Sequence, residues 1–251
     1  MSRVMIAFGI LLSGLALFAS GASLPTNNAV KNTHPYQVSF REWVRPDPQN
    51  EYVHICSGAI IHKNWILSAA SCFEGRDLGY VFAAVGTDEV TNKGQTFDVV
   101  FAVFHDDYDK PYNDNIALVR VAGDIEFNDK VRSVALPTDG HDDYDRLGEI
   151  VGWFTVKADL SINSHLQSVS LPIIRNEECV KSRDITEKHI CVHDEDLGDF
   201  CHEDIGAPLI VDNVLVGVES YVAPCAGGLP DVFTRVYNYK QWIDNVIKKF
   251  E

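Results

Sequence analysis

The chain has 251 residues, 46% of them hydrophobic and 23% charged, with 17 glycines and 10 prolines. That composition excludes intrinsic disorder, collagen and coiled coil, and the length suffices for one or two buried cores. Thirty-six acidic residues against 21 Lys and Arg leave a formal charge of −15, which excludes a phosphate-tracking surface and hence a nucleic-acid partner, because such surfaces need clustered cations.

The first element is an apolar run over residues 4–18, behind the single charge of Arg3 and ahead of the small residues Ala19, Ser20, Gly21 and Ala22. This is the pattern of a secretory signal peptide spanning residues 1–22. The run is short for a bilayer span, so a secreted, extracellular product without a membrane anchor is expected. Cleavage after Ala22 leaves 36 acidic residues against 20 basic ones, a charge of −16. In an oxidising compartment the six cysteines are read as disulfides, and six allow 15 pairings. No Asn-x-Ser/Thr sequon occurs, so no N-glycan is expected.

From Tyr36 onward the pattern predicts short strands at 37–40, 60–67, 81–85 and 99–104, separated by Pro, Gly, Asn and Asp clusters. A second series follows at 149–153, 167–171, 208–211, 214–218 and 232–236, and the polar stretch 138–148 connects the two. Repeated short strands at this spacing predict an all-β barrel or sandwich. Only residues 239–250 read as helix: Trp242, Ile243, Val246, Ile247 and Phe250 form one apolar stripe, with Lys240, Asp244, Lys248 and Lys249 outside it.

Several segments resemble the trypsin and chymotrypsin serine proteases. They are Pro35-Tyr36-Gln37-Val38-Ser39, Cys56-Ser57-Gly58-Ala59-Ile60-Ile61, Trp65-Ile66-Leu67-Ser68-Ala69-Ala70 before Cys72, Ile116-Ala117-Leu118, Gly152-Trp153, Ile190-Cys191, Asp204 with Gly206 and Pro208-Leu209, and Thr234-Arg235-Val236. The resemblance covers residues 23–251. It implies an all-β fold of two six-stranded Greek-key β-barrels, residues 23–137 and 138–251, the second ending in the helix. It also implies the disulfides Cys56–Cys72, Cys179–Cys191 and Cys201–Cys225.

The same resemblance points to three positions where the family's chemistry is missing. Catalysis there needs a hydroxyl nucleophile, an imidazole that takes its proton, and a carboxylate that fixes the imidazole tautomer. The imidazole position before the second cysteine is Ser71, the carboxylate position before Ile-Ala-Leu is Asn115, and the nucleophile position is Ile205. Asp114 is one residue away, and in an extended segment that shift would point its side chain to the other face. In subtilisin, removing the nucleophile or the imidazole alone lowers turnover about a million-fold. The oxyanion hole is compromised too, since its family glycine is Glu203 here, and a carboxylate there opposes a developing oxyanion.

At the substrate-pocket positions, Asp199 matches the aspartate that pairs with Lys or Arg in trypsin-like enzymes, but Phe200 replaces a small residue, and Val222 and Asp231 replace two glycines. A filled or reshaped pocket is expected; if Asp199 and Asp231 face each other, one holds a raised pKa or binds a cation. Family zymogens are cut before a new N-terminus that pairs with the aspartate aligned with Asp204. Ser23-Leu24-Pro25-Thr26 fills that place with no Arg or Lys ahead of it, so no zymogen stage is expected.

His189, His193 and His202 lie in an acidic stretch but follow no zinc spacing, and the Gly86 to Gly94 loop is too short and mixed in charge to be assigned as a calcium loop, so no metal and no cofactor are expected. Ser71 and Ser220 have no base placed by these motifs, and His105 holds a strand-end position without a chemical role in the family. Two function classes follow: a non-catalytic binder that acts as decoy, cofactor or regulator of extracellular proteolysis, or a serine-type endopeptidase using altered residues. A degenerate digestive protease without a molecular role is the third reading. For the binder, the partner is another secreted protein, a protease, inhibitor or receptor, and the acidic segment 194–204 would attract a basic one.

Overall fold

A computed structural model describes residues 27–28, 34–44, 51–109, 113–140, 143–154, 164–193, 204–221 and 229–251. Strand β1 (Asn27–Asn28) precedes a first barrel built from β2 (Gln37–Trp43), β3 (Tyr52–His62), β4 (Trp65–Ser68), β5 (Val81–Val85), β6 (Gln95–Phe104) and β7 (Ala117–Val121). Their order is β2-β3-β4-β7-β6-β5, closed by antiparallel pairing of β5 with β2. The second barrel comprises β8 (Leu147–Gly152), β9 (Gln167–Ile174), β10 (His189–Val192), β11 (Pro208–Val211), β12 (Val214–Tyr221) and β13 (Asp231–Arg235), closed by β8 pairing with both β9 and β11. β1 adds to the side of β9.

Alternation explains the strands where one face meets the core. Along β9, Gln167, Val169, Leu171 and Ile173 are buried and the residues between them are more exposed, the period of two expected of a pleated strand. β2 and β5 break that alternation: Gln37 to Arg41 and all of β5 are buried, because their outer faces are covered as well. Val38, Phe40, Ile60, Ile66, Val85 and Leu118 fill the first barrel. Ile150, Val169, Leu171, Ile190, Leu209 and Phe233 fill the second. Full burial of each such side chain stabilises by about 1.5–3 kcal/mol before the entropy of ordering is subtracted.

The predicted strand 60–67 is two strands, with Ile60 opposite Ile66 and His62 opposite Trp65. The polar residues His62, Lys63 and Asn64 make the reversal inside what reads as one apolar run. β7 and β10 lie outside the strand runs read from the sequence; nearly every residue of both is buried, so neither shows the alternation that marks a half-exposed strand. The helix α1 (Lys240–Phe250) follows a 3-10 turn, Val236–Tyr239. Val236, Tyr239, Ile243 and Val246 join the core cluster of the first barrel, so the chain leaves the second barrel and returns to pack on the first. Lys248 and Lys249 lie in its last turn, where cations complement the helix dipole.

The disulfides Cys56–Cys72 and Cys179–Cys191 are both formed, as the resemblance implied; Cys201 and Cys225 lie outside the described residues. No helix among the described residues is long and apolar enough to cross a membrane.

Candidate functional site

Ser71 sits on a 3-10 turn, Ala70–Cys72, that the Cys56–Cys72 disulfide ties to β3. Asn115 lies just before β7 and is fully buried. The two residues are joined twice: the Ser71 backbone N–H donates to Asn115 Oδ1 (2.9 Å), and Asn115 Nδ2 donates to Ser71 Oγ (3.0 Å). The same Nδ2 donates to the carbonyl of Ser220 (3.1 Å), while Thr234 Oγ1 donates to the Asn115 carbonyl (3.0 Å). Ser71, Asn115 and Ser220 therefore form one neutral hydrogen-bonded set. A hydroxyl that accepts from an amide and has no base beside it is not an activated nucleophile, and among the described residues no histidine is hydrogen-bonded to this set.

Ile205 is half-buried and packs against the first barrel's core. Its carbonyl accepts from the Ser57 N–H (2.9 Å), and the next residue's N–H, Gly206, donates to the Glu219 carbonyl (2.9 Å). Gly206 has φ +85°, and a Cβ there would lie 2.2 Å from the Ser57 carbonyl oxygen, so only glycine lets this segment lie against β3.

Asp204, 4% exposed, is the centre of a buried network. Its Oδ1 accepts from His54 Nε2 (3.0 Å); its Oδ2 accepts from Ser57 Oγ (2.6 Å) and from the Trp153 backbone N–H (2.7 Å). Ser57 Oγ accepts in turn from Gln37 Nε2 (3.1 Å). On the far side of His54, Nδ1 lies 2.8 Å from Ser39 Oγ, which also accepts from Arg41 Nε at 2.9 Å. Because Arg41 only donates, the Ser39 hydroxyl proton is free to go to His54 Nδ1, which leaves the Nε2–H to donate to Asp204. Ser39, His54 and Ser57 belong to the first barrel and Trp153 follows β8 of the second, so a single carboxylate joins both. Sequence reasoning missed His54, Ser39 and Ser57 as partners. The available signal was Asp204 itself, since a buried carboxylate requires several donors.

Asp114 was expected in an extended segment; its φ is +50°. That left-handed turn, not strand alternation, sends its side chain away from Ser71. Asp114 Oδ1 accepts from Lys188 Nζ (2.7 Å) and from the Tyr239 hydroxyl (2.9 Å), with His105 Nδ1 at 3.5 Å. Burial and the neighbouring Asp114 charge push the Tyr239 phenol well above its ordinary range. His105, Asp107 and Asp114 hold ligand atoms within 4.8 Å of one another, and the Lys188 ammonium supplies the positive charge there. His189 is a buried residue whose Nδ1 accepts from the Thr186 N–H (3.0 Å).

Asp231 opens β13 opposite Val192 and is half-buried. Asp199, Phe200, Glu203, Val222, His202 and most of the acidic segment 194–204, all but Asp204, lie outside the described residues. Away from Ser71, a surface cavity of about 400 Å³ is lined by the inter-barrel connection and the second barrel, including Leu136, Val214, Arg146, Arg235 and Tyr237.

Comparison with known proteins agrees with this architecture. The Trypsin family model matches residues 24–243. The chain is similar to "Chymotrypsin-2" of Vespa crabro, 31% identical over 220 residues that cover 86% of this chain and 95% of that protein. It is similar to "Trypsin Blo t 3" of Blomia tropicalis, 31% identical over 91% of this chain and 87% of the mite protein. "Trypsin V-A" of Rattus norvegicus is 32% identical over 85% of this chain and 84% of its own length. With two closed barrels, two of the family's disulfides and a match over nearly the whole chain after residue 23, this protein belongs to the trypsin family of serine proteases.

Proposed function

We propose that this trypsin-family chain is a secreted homologue that has lost peptide hydrolysis and acts by binding another extracellular protein, as a decoy, cofactor or regulator of proteolysis. The observation that carries the reading is the neutral set in which the Asn115 amide accepts from the Ser71 N–H and donates to the Ser71 hydroxyl and to the Ser220 carbonyl. If Ser71, Asn115 and Ile205 occupy the positions of imidazole, carboxylate and nucleophile, the centre holds no base and no attacking atom. Its named relatives are a chymotrypsin and trypsins; the proposed loss of activity is particular to this chain's residues.

Two further features support the reading. Asp204, which the resemblance pairs with a newly cut N-terminus, already has three donors from within the chain, consistent with a product that needs no activating cleavage. The apolar run 4–18 and the disulfides fit an extracellular life. The test combines a fluorophosphonate probe with trypsin-, chymotrypsin- and elastase-type peptide substrates. No labelling and no turnover are expected from pH 5 to 9, about two units either side of neutrality. Turnover that survives repurification and disappears on Ser71→Ala or Ser220→Ala would establish an altered hydrolase instead.

A further inference from the structure

The outer surface of the first barrel carries an aromatic corner apart from the set of Ser71, Asn115 and Ser220. The register of β2 with β3 and β5 sets Trp43 opposite Tyr52 and Arg41 opposite Phe82. The Trp43 and Tyr52 rings meet edge to face with centroids 5.7 Å apart, Tyr52 and Phe82 do the same at 5.4 Å, and Trp43 lies tilted over Phe82 at 5.1 Å. Phe82 is buried; Trp43 and Tyr52 remain half-exposed. Into the corner reaches Lys93, its Nζ 4.5 Å from the Trp43 centroid and 5.2 Å from that of Tyr52. Although the chain has 36 acidic residues, Lys93 has no ion pair among the described residues; its ammonium rests on ring faces.

The loop that delivers Lys93 is held in place. Arg41, itself fully buried, donates from its two terminal nitrogens to the carbonyls of Asn92 (2.9 Å) and Glu89 (3.2 Å), and the Tyr52 hydroxyl donates to the Thr91 carbonyl (3.1 Å). Gly94, directly after Lys93, has φ +57°, and a Cβ there would stand 2.3 Å from the Val85 carbonyl oxygen. The corner is thus a preformed receptor for a cation: its own chain supplies the tethered Lys93 ammonium, and beneath it the buried Arg41 guanidinium lies 5.2 Å from the Tyr52 centroid.

We propose that this corner binds a quaternary ammonium group, such as the trimethylammonium of choline, in competition with Lys93. Ring quadrupoles attract any cation, but a primary ammonium is strongly hydrated and loses much on leaving water. A trimethylammonium presents apolar methyl groups to Trp43 and Tyr52 while keeping its charge, so it gains from both the rings and the burial. Lys93 is exposed and swings out at little cost.

The experiment titrates the ¹⁵N-labelled secreted chain with choline chloride at constant ionic strength, reading the Trp43 indole N–H. Its neutral isostere 3,3-dimethylbutanol serves as control. Choline is expected to shift the Trp43 signal saturably at millimolar concentration and the isostere is not. Lys93→Ala is expected to tighten binding about two- to fivefold, the factor for one exposed cation–ring contact. Trp43→Leu, read at amides of the loop because it lacks the indole, and Tyr52→Leu, read at the Trp43 indole, are each expected to abolish binding or weaken it about fivefold or more; the second stands in if the first fails to fold. Phosphatidylcholine vesicles separate the sources: binding of vesicles as well as choline assigns a lipid headgroup, choline alone a free cation, and both support the site. The proposal is overturned if choline gives no saturable shift, if the isostere acts equally, or if Lys93→Ala leaves affinity unchanged or lower.

Discussion

Replacing Asp204 by alanine and by asparagine separates two contributions that share one side chain. The alanine variant strands three donors at once, the His54 Nε2–H, the Ser57 hydroxyl and the Trp153 N–H, around a residue only 4% exposed. The hydroxyl can rotate and the imidazole can change tautomer, but the Trp153 N–H is fixed by its backbone. Each stranded donor costs about 1–3 kcal/mol, and the three together cost about 3–5 kcal/mol once the hydroxyl and the imidazole have relaxed. Asparagine retains one oxygen, which suffices for Ser57 and Trp153 if it takes the Oδ2 place. Its amide then faces His54 and forces the imidazole to accept at Nε2 and donate from Nδ1 to Ser39, which has two lone pairs for this proton and that of Arg41. The asparagine variant is therefore expected to lose only about 1–2 kcal/mol. Urea unfolding at neutral pH measures both, and ¹⁵N shifts of the His54 ring report the tautomer. Equal losses for the two variants, or an alanine loss under about 1 kcal/mol, would refute the claim that this carboxylate organises the seam.

Gly206→Ala is expected to cost at least about 3 kcal/mol, because it combines a left-handed backbone with a Cβ driven into the Ser57 carbonyl; chemical denaturation checks it. Asn115→Ala should cost about 2–4 kcal/mol by stranding the Ser71 N–H and the buried Ser220 carbonyl, whereas Ser71→Ala, at an exposed position, stays within about 1 kcal/mol; comparing the two melting curves decides. The hydrogen bond from His34, the largest influence, holds the Glu149 carboxyl below its ordinary value of 4.5. A lowered folded-state pKa stabilises above the ordinary value and ceases to do so as pH falls through the lowered one. Stability should therefore decline on acidification below about pH 4.5, and His34→Ala should flatten that part of a urea-midpoint series; an unchanged acid limb in the variant counts against the pairing.

Much of the barrel architecture could be read from motif order, because β-strands with one face on a core leave a visible alternation, as in β9. Pairing partners were less visible. His62-Lys63-Asn64 reverses the chain inside an apolar run, and β10 is four residues long; neither leaves a periodic trace. At the site, Ser71 and Asn115 stand out as departures from a motif, yet that they hydrogen-bond each other depends on the left-handed turn at Asp114, which no residue pattern announced. Long-range partners such as His54 for Asp204, 150 positions apart, follow only from folding, since burial of a carboxylate demands donors without naming them. The loop after the second barrel's β10, which carries the expected acidic surface, lies outside the described residues.

The helix α1 returns from the second barrel to complete the core of the first, and this governs how the molecule comes apart. A chain cut in the polar connection near residue 140 would separate β2–β7 from the element that covers them, leaving Trp65 and Phe101 without Phe250 above and Tyr239 without Asp114. The amino-terminal half emerging from the ribosome is in the same position: its barrel stays uncapped until the last dozen residues arrive. Such a topology makes the order of synthesis and the order of final consolidation opposite to each other, and ties the fate of the first half to the integrity of the carboxyl end.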